Sequence, residues 1–509
     1  MFASVHGMAV SGIQAHLIRV EVDVSNGLPG FDIVGLPNTA VRESRERVRS
    51  AIKNSGFDFP LQRITVNLAP ADLKKDGSGL DLPIAIGILA ATGQCSPKSL
   101  TNDVFVGELS LEGQLRPVPG ILAMAVSLAQ HSEYALIVPP ENLLEANLID
   151  EIKSGSVDNL AQLVNSLKTD LLFSSTHAKS LHPTIEISSD NTIDLSSIRG
   201  QQQAKRALEI AAAGGHNLLL IGSPGSGKTM LAKAYAGILP PLTRAESLEV
   251  TKIYSIAGLL GHNGQLIQAR PFRQPHHSAT AAGILGGGRD LKPGELILAN
   301  HGVLFLDELP EFSREVLESL RQPLEDRELT LTRQRGSVKY PARLSLVSSM
   351  NPCPCGWHGD PKRACICTPR QISNYRNRIS GPLLDRFDLH IEVPRVEFDD
   401  LHRYSESETS VNVQNRVLKA RRRQWARLGE SRTNAEMSAG ETSAFCSLDS
   451  TGEQLLRNVF DRQHLSARSH DRILRVARTI ADLDSKENIF PLHLAEALQY
   501  RTLDRPTAY

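Results

Sequence analysis

A run of four apolar residues, Leu218–Ile221, is the clearest hydrophobic pattern in the chain. A glycine-rich stretch follows it, and a helix-like segment then begins at Met230. Continuous apolar runs of this length are typical of strands buried in a parallel sheet. Val303–Leu306 repeats the pattern, and a further strand is predicted over 344–349. These segments predict an α/β core that carries functional loops at the ends of its strands.

The first third of the chain alternates short β-branched runs with helical segments, which predicts an α+β domain over residues 1–168. Its predicted strands are 17–24, 31–34, 63–68, 104–109 and 135–138. Its predicted helices are 38–55, one that follows the glycine turn at 77–79, and 121–129. The segment 169–194 is poor in apolar periodicity and rich in Ser, Thr and His, so it is predicted to be a linker.

The end of the chain, residues 396–509, is predicted to form a helical domain. Helical segments are indicated at 411–432, 465–483 and 492–503. The middle segment is amphipathic, since Leu474, Ala477 and Ala481 share one face. Residues 195–395, which hold the parallel strands, form a separate predicted α/β domain.

Composition changes this picture in two ways. The 509 residues include 56 Lys+Arg and 56 Asp+Glu, so the zero net charge does not itself argue for nucleic-acid binding. The amino terminus has no basic region followed by an apolar core, and no apolar run reaches the ~18 residues of a membrane span. We therefore expect a cytoplasmic protein that does not act at a membrane.

The glycine-rich stretch matches the phosphate-binding pattern G-x-x-x-x-G-K-[ST]. It consists of Gly222, Ser223, Pro224, Gly225, Ser226, Gly227, Lys228 and Thr229. Backbone N–H groups of such a loop surround phosphate oxygens at the positive end of a helix. Lys228 is expected to reach the β- and γ-phosphates, and the Thr229 hydroxyl is expected to hold Mg²⁺. ATP and Mg²⁺ are therefore the expected cofactors.

Two carboxylates, Asp307 and Glu308, end the second apolar strand about 80 residues later. Loops at the carboxyl ends of parallel strands commonly hold ligands. Asp307 is expected to coordinate Mg²⁺, and Glu308 is expected to polarise the water that attacks the γ-phosphate. An apolar strand that ends in Asp-Glu is common, but together with a phosphate loop it predicts ATP hydrolysis.

Four of the six cysteines form a cluster between residues 353 and 367. They are Cys353, Cys355, Cys365 and Cys367. Two C-x-C pairs can close a tetrahedral thiolate site for Zn²⁺, and His358 could replace one ligand. The spacing is tighter than the usual C-x₂-C knuckle, so buried reduced thiols and redox chemistry stay open as alternatives. Disulfides are not favoured in a chain expected to be cytoplasmic.

Basic side chains concentrate in two segments of the α/β core. Residues 270–289 read as a loop, and residues 326–343 predict a β-hairpin with a basic tip region. The expected DNA-contacting residues are Arg273, Arg333, Arg335 and Lys339. Such side chains either track a phosphate backbone without reading sequence or form a solvated surface. The same two interpretations apply to the arginine-rich helices 38–55 and 411–432.

These motifs together resemble the AAA+ ATPases, in particular the clade of the magnesium chelatases and the minichromosome-maintenance helicases. The resemblance implies that Asn351 is the sensor-1 residue, that Arg386 is an arginine finger and that Arg468 is the sensor-2 arginine. It also implies that Ile198 and the backbone around Gly200 lie near adenine, and that the hairpin projects into a central pore. A finger that reaches a neighbour's γ-phosphate makes hydrolysis depend on oligomerisation.

The N-terminal domain resembles the proteolytic domain of the Lon family. Lys75–Ala85 looks like the segment that bears Lon's nucleophilic serine, and the segment from Gly107 to Leu122 looks like the one that bears its lysine. The serine position falls on Gly79 and the lysine position on Leu122. Neither side chain supports Ser-Lys chemistry, which needs a hydroxyl and an adjacent amine.

The alternative is a dyad shifted by one residue, in which Ser78 works with Lys74 or Lys75. A one-residue change of register usually re-aims a side chain. The favoured interpretation is therefore a Lon-like fold that is kept for assembly or substrate contact.

The whole chain resembles the YifB/ComM family of magnesium-chelatase-like AAA+ proteins, from the dyad-less Lon-like domain through the ATPase core and cysteine pairs to the helical lid. The resemblance implies a homo-hexameric ATP-driven motor on branched or single-stranded DNA. For ComM proteins it implies a branch-migration helicase that promotes integration of incoming DNA by homologous recombination during natural transformation. The residues alone reach an oligomeric ATPase with basic pore loops. A chelatase-type ATPase that remodels a protein or inserts a metal, and an ATP-dependent protease, are the alternatives.

Overall fold

The computed structural model describes residues 1–37, 39–73, 75, 77–95, 100–131, 133–169, 193–261, 264–288, 291–333, 336–396, 408–463 and 466–501. Lys74, Arg335 and nearly all of the predicted linker 169–194 lie outside the described residues. The described residues form an N-terminal domain, a central domain and a helical C-terminal domain.

The N-terminal domain is built on a mixed β-sheet. Its strands are β1 (Phe2–Ser11), β2 (Gln14–Ser25), β3 (Gly30–Val34), β4 (Arg63–Ala69), β5 (Asp103–Phe105), β6 (Glu108–Leu109), β7 (Leu115–Arg116), β8 (Ala135–Val138) and β9 (Lys153–Ser156). Its helices are α1 (Thr39–Asn54), α2 (Asp81–Ala91), α3 (Ile121–Leu128), α4 (Pro140–Ala146) and α5 (Leu160–Thr169). Seven strands form one sheet in the order β3-β4-β2-β1-β5-β8-β9, and β6 pairs with β7.

Helix α2 lies at the centre of this domain, packed against β1, β2 and α1. All 11 of its residues are buried, because Leu82–Ala91 is apolar on every face of the helix. Asp81 at its start is fully buried and is bound by Arg47 of α1, whose Nε lies 2.7 Å from Oδ2 of Asp81. This ion pair compensates the buried charge and fixes the start of α2.

The sequence pattern predicts most of the N-terminal strands. The predicted strands 17–24, 31–34, 63–68 and 135–138 lie within β2, β3, β4 and β8. The predicted strand 104–109 is divided between β5 and β6. The pattern does not predict β1, because small residues such as Ala3 and Ala9 fill several of its buried positions and weaken the alternation. Strand β1 is nevertheless paired with β2 along its whole length.

The central domain is built on a five-stranded parallel sheet. The strands of the whole domain are β10 (Leu218–Ile221), β11 (Phe272–Arg273), β12 (Gly286–Gly287), β13 (Lys292–Pro293), β14 (Val303–Leu306), β15 (Glu328–Arg333), β16 (Gly336–Pro341), β17 (Ser345–Met350) and β18 (Leu389–Glu392). Its helices are α6 (Gln202–Gly214), α7 (Lys228–Ile238), α8 (Arg244–Ile256), α9 (Ala281–Leu285), α10 (Glu295–Leu298), α11 (Arg314–Ser319), α12 (Arg321–Asp326), α13 (Pro369–Arg376) and α14 (Gly381–Leu384). The sheet order is β11-β14-β17-β10-β18, with β12–β13 and β15–β16 as separate pairs.

The central sheet has two chemically different edges, because its strand pairings are all parallel. Its carboxyl edge carries the glycine-rich loop after β10, Asp307 after β14 and Asn351 after β17. Its amino edge carries Asn217 before β10 and Asp388 before β18. The length of β10 separates the two edges by about 13 Å, at ~3.3 Å per residue.

The C-terminal domain consists of helices that pack on the central domain. They are α15 (Ser410–Leu428), α16 (Ala439–Phe445), α17 (Ser450–Gln463), α18 (Ala467–Leu483) and α19 (Pro491–Gln499). Arg421 and Gln424 of α15 donate to the carbonyl oxygens of Ala212 and Ala213 at the end of α6. Those carbonyls have no partner within α6, so the contact caps that helix. Among the described helices, none is both long and apolar enough to cross a membrane.

The N-terminal domain contacts the central domain through α3 and α8. Leu248 and Ile256 of α8 pack against the apolar cluster that includes α3. The Ser255 hydroxyl donates to the carboxylate of Glu145, a buried residue of α4. Burial raises the pKa of Glu145, and the hydrogen bond from Ser255 opposes this shift.

Candidate nucleotide site

The glycine-rich loop joins β10 to α7, whose first residue is Lys228. Gly227 has a φ of +90°, which residues with a Cβ rarely adopt, so the loop requires glycine there. The Lys228 ammonium donates to the carbonyl oxygens of Gly222 at 2.7 Å and Ser223 at 3.0 Å. It also donates to Oδ1 of Asn351 at 3.2 Å. The loop and the predicted sensor-1 residue are thus joined through one lysine.

Asp307 lies next to this loop at the end of β14. Thr229 donates from Oγ1 to Oδ2 of Asp307 at 3.2 Å, and the Ser349 hydroxyl donates to the other carboxylate oxygen. Burial lowers the pKa of Lys228, while the negative charges of Asp307 and Glu308 oppose that shift. Hydroxyl and carboxylate oxygens are ligands that Mg²⁺ prefers, together with substrate phosphates. The Thr229–Asp307 pair therefore fits the expected magnesium site.

Glu308 has a left-handed backbone conformation, with a φ of +54°. Such conformations are uncommon in non-glycine residues and concentrate at functional sites. Its N–H donates to Oγ of Ser349 at 3.2 Å, so β17 supports the turn. Nδ1 of His277 lies 3.8 Å from Oε2 of Glu308. No local pattern predicts this approach, because it depends on the pairing of β11 with β14.

Gln201 is a second contact that the sequence pattern does not reveal. Its Nε2 donates to the carbonyl oxygen of Ser226 in the phosphate loop at 2.6 Å. Ile198, which was expected near adenine, is 5% exposed and lies in the apolar core shared with the C-terminal helices. The segment that contains Ile198 and Gly200 therefore reaches the phosphate loop through Gln201.

Arg386 lies at the amino edge of the sheet, across β10 from the phosphate loop. Asn217 donates from Nδ2 to the Arg386 carbonyl oxygen at 3.0 Å and from its backbone N–H to Oδ2 of Asp388 at 3.1 Å. The Arg386 side chain is 8% exposed and pairs with Glu325. Its Nε has no hydrogen-bond partner among the described residues. Arg468 lines the same cavity, of about 280 Å³, so the structure brings the two predicted arginines together.

This cavity is rich in arginine. Its charged lining residues are Arg327, Arg386, Arg468, Arg472, Arg475, Glu325, Asp388, Glu436 and Asp471. Burial alone would raise the pKa of Asp388, but the hydrogen bond from His216 and the charge of Arg472 hold that pKa well below its usual range. Asp388 is therefore a fixed anion. With five arginines against four carboxylates, the lining keeps an excess of one positive charge, which favours an anionic partner.

The four clustered cysteines follow Asn351 directly. Their Sγ atoms all lie within 4.8 Å of one another. The Sγ of Cys353 is 3.4 Å from that of Cys355 and 3.7 Å from that of Cys365, and the Cys355–Cys365 distance is 3.6 Å. Tetrahedral Zn²⁺ with Zn–S bonds of ~2.3 Å requires sulfur–sulfur distances of about 3.8 Å. The donor set therefore fits zinc.

Two of the residues expected to contact DNA form ion pairs within the chain. Arg273 pairs with Glu295 through two hydrogen bonds of 2.6 and 2.7 Å. Lys339 pairs with Glu328 across the hairpin. Any contact with DNA would have to compete with these pairs.

The hairpin predicted over 326–343 is present as β15 and β16. Arg333 is the last residue of β15 and pairs in register with Gly336, so it lies at the tip. Arg335 lies outside the described residues.

The arginine-rich helices also use part of their charge inside the chain. Arg47 of α1 binds Asp81, and Arg427 of α15 binds Asp482, with a closest N–O distance of 2.7 Å. Arg422 of α15 is exposed. The solvated-surface and DNA-facing interpretations therefore concern only the remaining arginines.

The residues considered for a Ser-Lys dyad are bonded elsewhere. The Ser78 hydroxyl donates to Glu108, and the Lys75 ammonium donates to the carbonyl oxygen of Pro70. Burial lowers the pKa of Lys75. Leu122, at the position expected for the Lon lysine, is fully buried among apolar residues. Lys74 lies outside the described residues.

Family models for the ChlI subunit of magnesium chelatase match all three domains. "Subunit ChlI of Mg-chelatase" matches residues 20–142, and "Magnesium chelatase, subunit ChlI" matches residues 194–401. "Magnesium chelatase, subunit ChlI C-terminal" matches residues 407–501. The central match contains the phosphate loop, Asp307 and Glu308.

Full-length relatives identify the family. The competence protein ComM of Haemophilus influenzae is 46% identical over 507 residues, which cover 99% of this chain and 98% of the relative. The chain belongs to the YifB/ComM family. YifB of Escherichia coli is 46% identical over 504 residues, 98% of this chain and 97% of the relative. A Lon protease 1, from Hydrogenovibrio crunogenus, is 23% identical over 159 residues, 30% of this chain and 19% of the relative.

Membership of the YifB/ComM family fixes the general activity. The chain is a ComM-like ATPase of the magnesium-chelatase family, with a central AAA domain between an N-terminal ChlI domain and a helical C-terminal domain. ATP and Mg²⁺ follow from that membership. The geometry at Lys228, Thr229 and Asp307 agrees with this assignment.

Proposed function

We propose that this YifB/ComM protein is a hexameric, ATP-driven DNA motor that migrates branches and so promotes integration of incoming DNA during natural transformation. The observation that carries the proposal is the division of the expected ATP site between the two edges of one sheet. Lys228, Asp307 and Glu308 lie at the carboxyl edge, and Arg386 lies at the amino edge.

The division supports a ring of subunits. An arginine separated from its own phosphate loop by the length of β10, about 13 Å, is poorly placed to contact the γ-phosphate bound there. A head-to-tail contact between subunits would bring Arg386 of one chain to the phosphate loop of the next, and such contacts form a ring when the rotation between subunits closes. The arginine-rich cavity that holds Arg386 and Arg468 suits the γ-phosphate of a neighbour. We infer that both arginines act on the neighbour's nucleotide.

The DNA part of the proposal rests on two supports. The first is the hairpin β15–β16, which has Arg333 at its tip. The sequence supplies a second cation two residues later, Arg335, which lies outside the described residues. A ring of such hairpins would present cations to a phosphate backbone without reading its sequence. The second is the name of the 46% identical relative, a competence protein.

The test is the ATPase rate of size-fractionated protein, measured with ATP alone and with a four-way DNA junction. We expect the junction to raise the rate severalfold and to be separated by branch migration into duplex products. Lys228→Ala should abolish both the ATPase and the branch migration. A linear duplex of equal length controls for charge. An ATPase rate that is the same with and without DNA, together with no DNA bound by the protein, would overturn the proposal that the motor acts on DNA.

A second candidate function is the remodelling of a protein partner, because the family models that match are described by a magnesium-chelatase subunit. That function would require a dedicated partner. Capture of one stable protein by the Glu308→Gln variant in ATP, together with no effect of DNA, would favour it.

An ATP-dependent protease is the weakest candidate, since Ser78 and Lys75 are hydrogen-bonded to Glu108 and Pro70. Casein cleavage that disappears in Ser78→Ala would revive it. We propose instead that the N-terminal domain is a Lon-like scaffold without a dyad.

A further inference from the structure

The cysteine loop, residues 352–368, connects β17 to α13 and contains turns and bends but no helix or strand. Little apolar surface holds it in place, and Ile366 is 85% exposed. Its four cysteines are free thiols. A segment of this kind gains a defined shape when four thiolates share one metal ion.

Backbone N–H groups support such a centre. The N–H of His358 points at Sγ of Cys353 at 3.3 Å, and the N–H of Cys367 points at Sγ of Cys365 at 3.4 Å. Hydrogen bonds of this kind stabilise thiolates and orient them as ligands. Together with the sulfur–sulfur distances, they favour a Zn²⁺ centre over a redox pair.

The cysteine loop lies directly against the phosphate loop. A Cβ at Gly356, whose φ is +82°, would come within 2.5 Å of Cδ of Pro224. The backbone N–H groups of Lys362 and Arg363, and with them the nearby Ser223 hydroxyl, lower the pKa of the Asp360 carboxyl, so Ser223 lies beside that carboxylate. Asn351, which accepts from Lys228, lies two residues before Cys353. The phosphate loop therefore touches the cysteine loop at Ser223 and Pro224.

An aromatic stack also anchors the cysteine loop. The guanidinium groups of Arg363 and Arg395 each lie 4.7 Å from the ring centroid of Trp357. Arg395 follows β18, so the stack joins the cysteine loop to the strand next to β10. The cysteine loop therefore contacts both the segment after β18 and the phosphate loop.

We propose that the cysteine loop holds one Zn²⁺ and that this metal supports the phosphate loop, so that nucleotide affinity depends on zinc. The metal fixes Gly356 and Asp360, and these residues hold Pro224 and Ser223 in position. The proposal rests on the proposed function only in requiring that the phosphate loop bind ATP.

The first test measures the metal. We expect one zinc per chain to be released from the full-length protein by a thiol-modifying mercurial, and Co²⁺ exchanged into the site to show the absorption bands of tetrahedral thiolate coordination. Cys355→Ser and Cys365→Ser should lose the metal, whereas Cys446→Ala, which changes a cysteine outside the loop, should retain it. Absence of zinc from protein purified without chelator, together with no cobalt spectrum, would overturn the metal site.

The second test measures the affinity for a fluorescent ATP analogue without DNA. We expect zinc removal to weaken binding by about ten- to a hundredfold, the effect of losing a hydrogen bond to a charged group and the support it gives. Added Zn²⁺ should restore the affinity, which keeps the test valid if the cysteine variants fold poorly. Gly356→Ala should retain zinc but bind the analogue more weakly, because the added methyl group meets Pro224 and its backbone is strained.

The outcomes separate this inference from the proposed function. Equal affinity for the analogue with and without zinc would overturn the inference and leave the ATPase intact. Failure of the zinc-loaded wild type to bind any ATP analogue would overturn both. A DNA-independent ATPase that nevertheless needs zinc to bind ATP would support the inference and reject the DNA motor.

Discussion

The side-chain amide of Asn217 donates to the backbone carbonyl oxygen of Arg386 at 3.0 Å, so the predicted arginine finger is tied to the start of the strand whose other end leads into the phosphate loop. Because Lys228 and Arg386 lie beyond opposite ends of β10, they would complete an ATP site only between two chains. We expect Lys228→Ala and Arg386→Ala to be inactive alone, with a loss of about 10³-fold or more for Arg386→Ala. An equimolar mixture should regain about one quarter of the wild-type ATPase rate, because a quarter of its head-to-tail interfaces combine two intact halves.

The mixture should be assembled after unfolding or at low protein concentration, so that subunits exchange, and its size should be checked by light scattering. A mixture of Lys228→Ala with Lys228→Ala/Arg386→Ala is the matched control and should stay inactive. If the first mixture also stays inactive although subunits exchange, Arg386 does not serve the neighbouring site.

Glu308 should be needed for hydrolysis but not for binding. Its carboxylate is expected to act on the attacking water, and loss of a general base typically costs about 10² to 10⁴ in rate. Glu308→Gln should therefore lower ATP turnover by that factor while its affinity for a fluorescent ATP analogue stays within about twofold of wild type. Glu311→Gln, which removes a nearby carboxylate paired with Arg378, is the control. A large loss of affinity in Glu308→Gln would mean that the residue binds nucleotide.

The hairpin tip should determine the salt dependence of DNA binding. Each phosphate contact that is lost lowers the magnitude of the slope of log affinity against log salt by about 0.7 to 0.9. We expect the Arg333→Ala/Arg335→Ala variant to bind a junction more weakly and with a smaller slope. Lys153→Ala changes an exposed lysine of β9 in the N-terminal domain and should leave the slope unchanged. Equal slopes for the hairpin variant and wild type would place the DNA contacts elsewhere.

His301 should make stability depend on pH. Its Nε2 lies 2.6 Å from Glu249, and its Nδ1 lies 3.5 Å from Glu246. Burial lowers the pKa of His301, but the hydrogen bonds to Glu246 and Glu249 prevail, and its pKa is raised above 6.5. A raised folded-state pKa contributes stability that is complete below pH 6.5 and is lost as pH rises through the folded value. Denaturant unfolding across neutral and alkaline pH should show this loss in wild type but not in His301→Gln.

His131→Gln, at an exposed histidine, is the control for that experiment. If His301→Gln follows the wild-type curve above pH 6.5, the ion pairs of His301 do not contribute to stability.

The acid side of the curve has a different origin. Burial raises the pKa of Glu246, but His301 and Arg270 lower it to about 2, so its contribution is lost only as pH falls from 4.5 toward 2.

The phosphate loop and its two flanking elements could be predicted from local sequence, because an apolar strand, a glycine-rich turn and a helix are each specified by neighbouring residues. Strand β10 begins and ends where the apolar run Leu218–Ile221 does. The approach of Thr229 to Asp307 also follows from the motifs, since both were expected at one magnesium ion.

Other parts of the site could not be predicted, because they depend on sheet order and on contacts between distant segments. Ser349 binds Asp307 because β17 lies beside β14, and His277 approaches Glu308 because β11 lies on the other side. The amino-edge position of Arg386 follows from the pairing of β10 with β18, which no single motif encodes.

Leu248 and Ile256 of α8 are covered by the N-terminal domain, and Ser255 is bonded to Glu145 across the same contact. Cutting the chain at the linker would place these apolar side chains in water and remove the acceptor of Ser255. Contiguous apolar surface of this kind promotes self-association. We therefore expect a fragment that begins at residue 193 to self-associate more than the full-length chain does, so that the N-terminal domain also serves to keep the ATPase soluble.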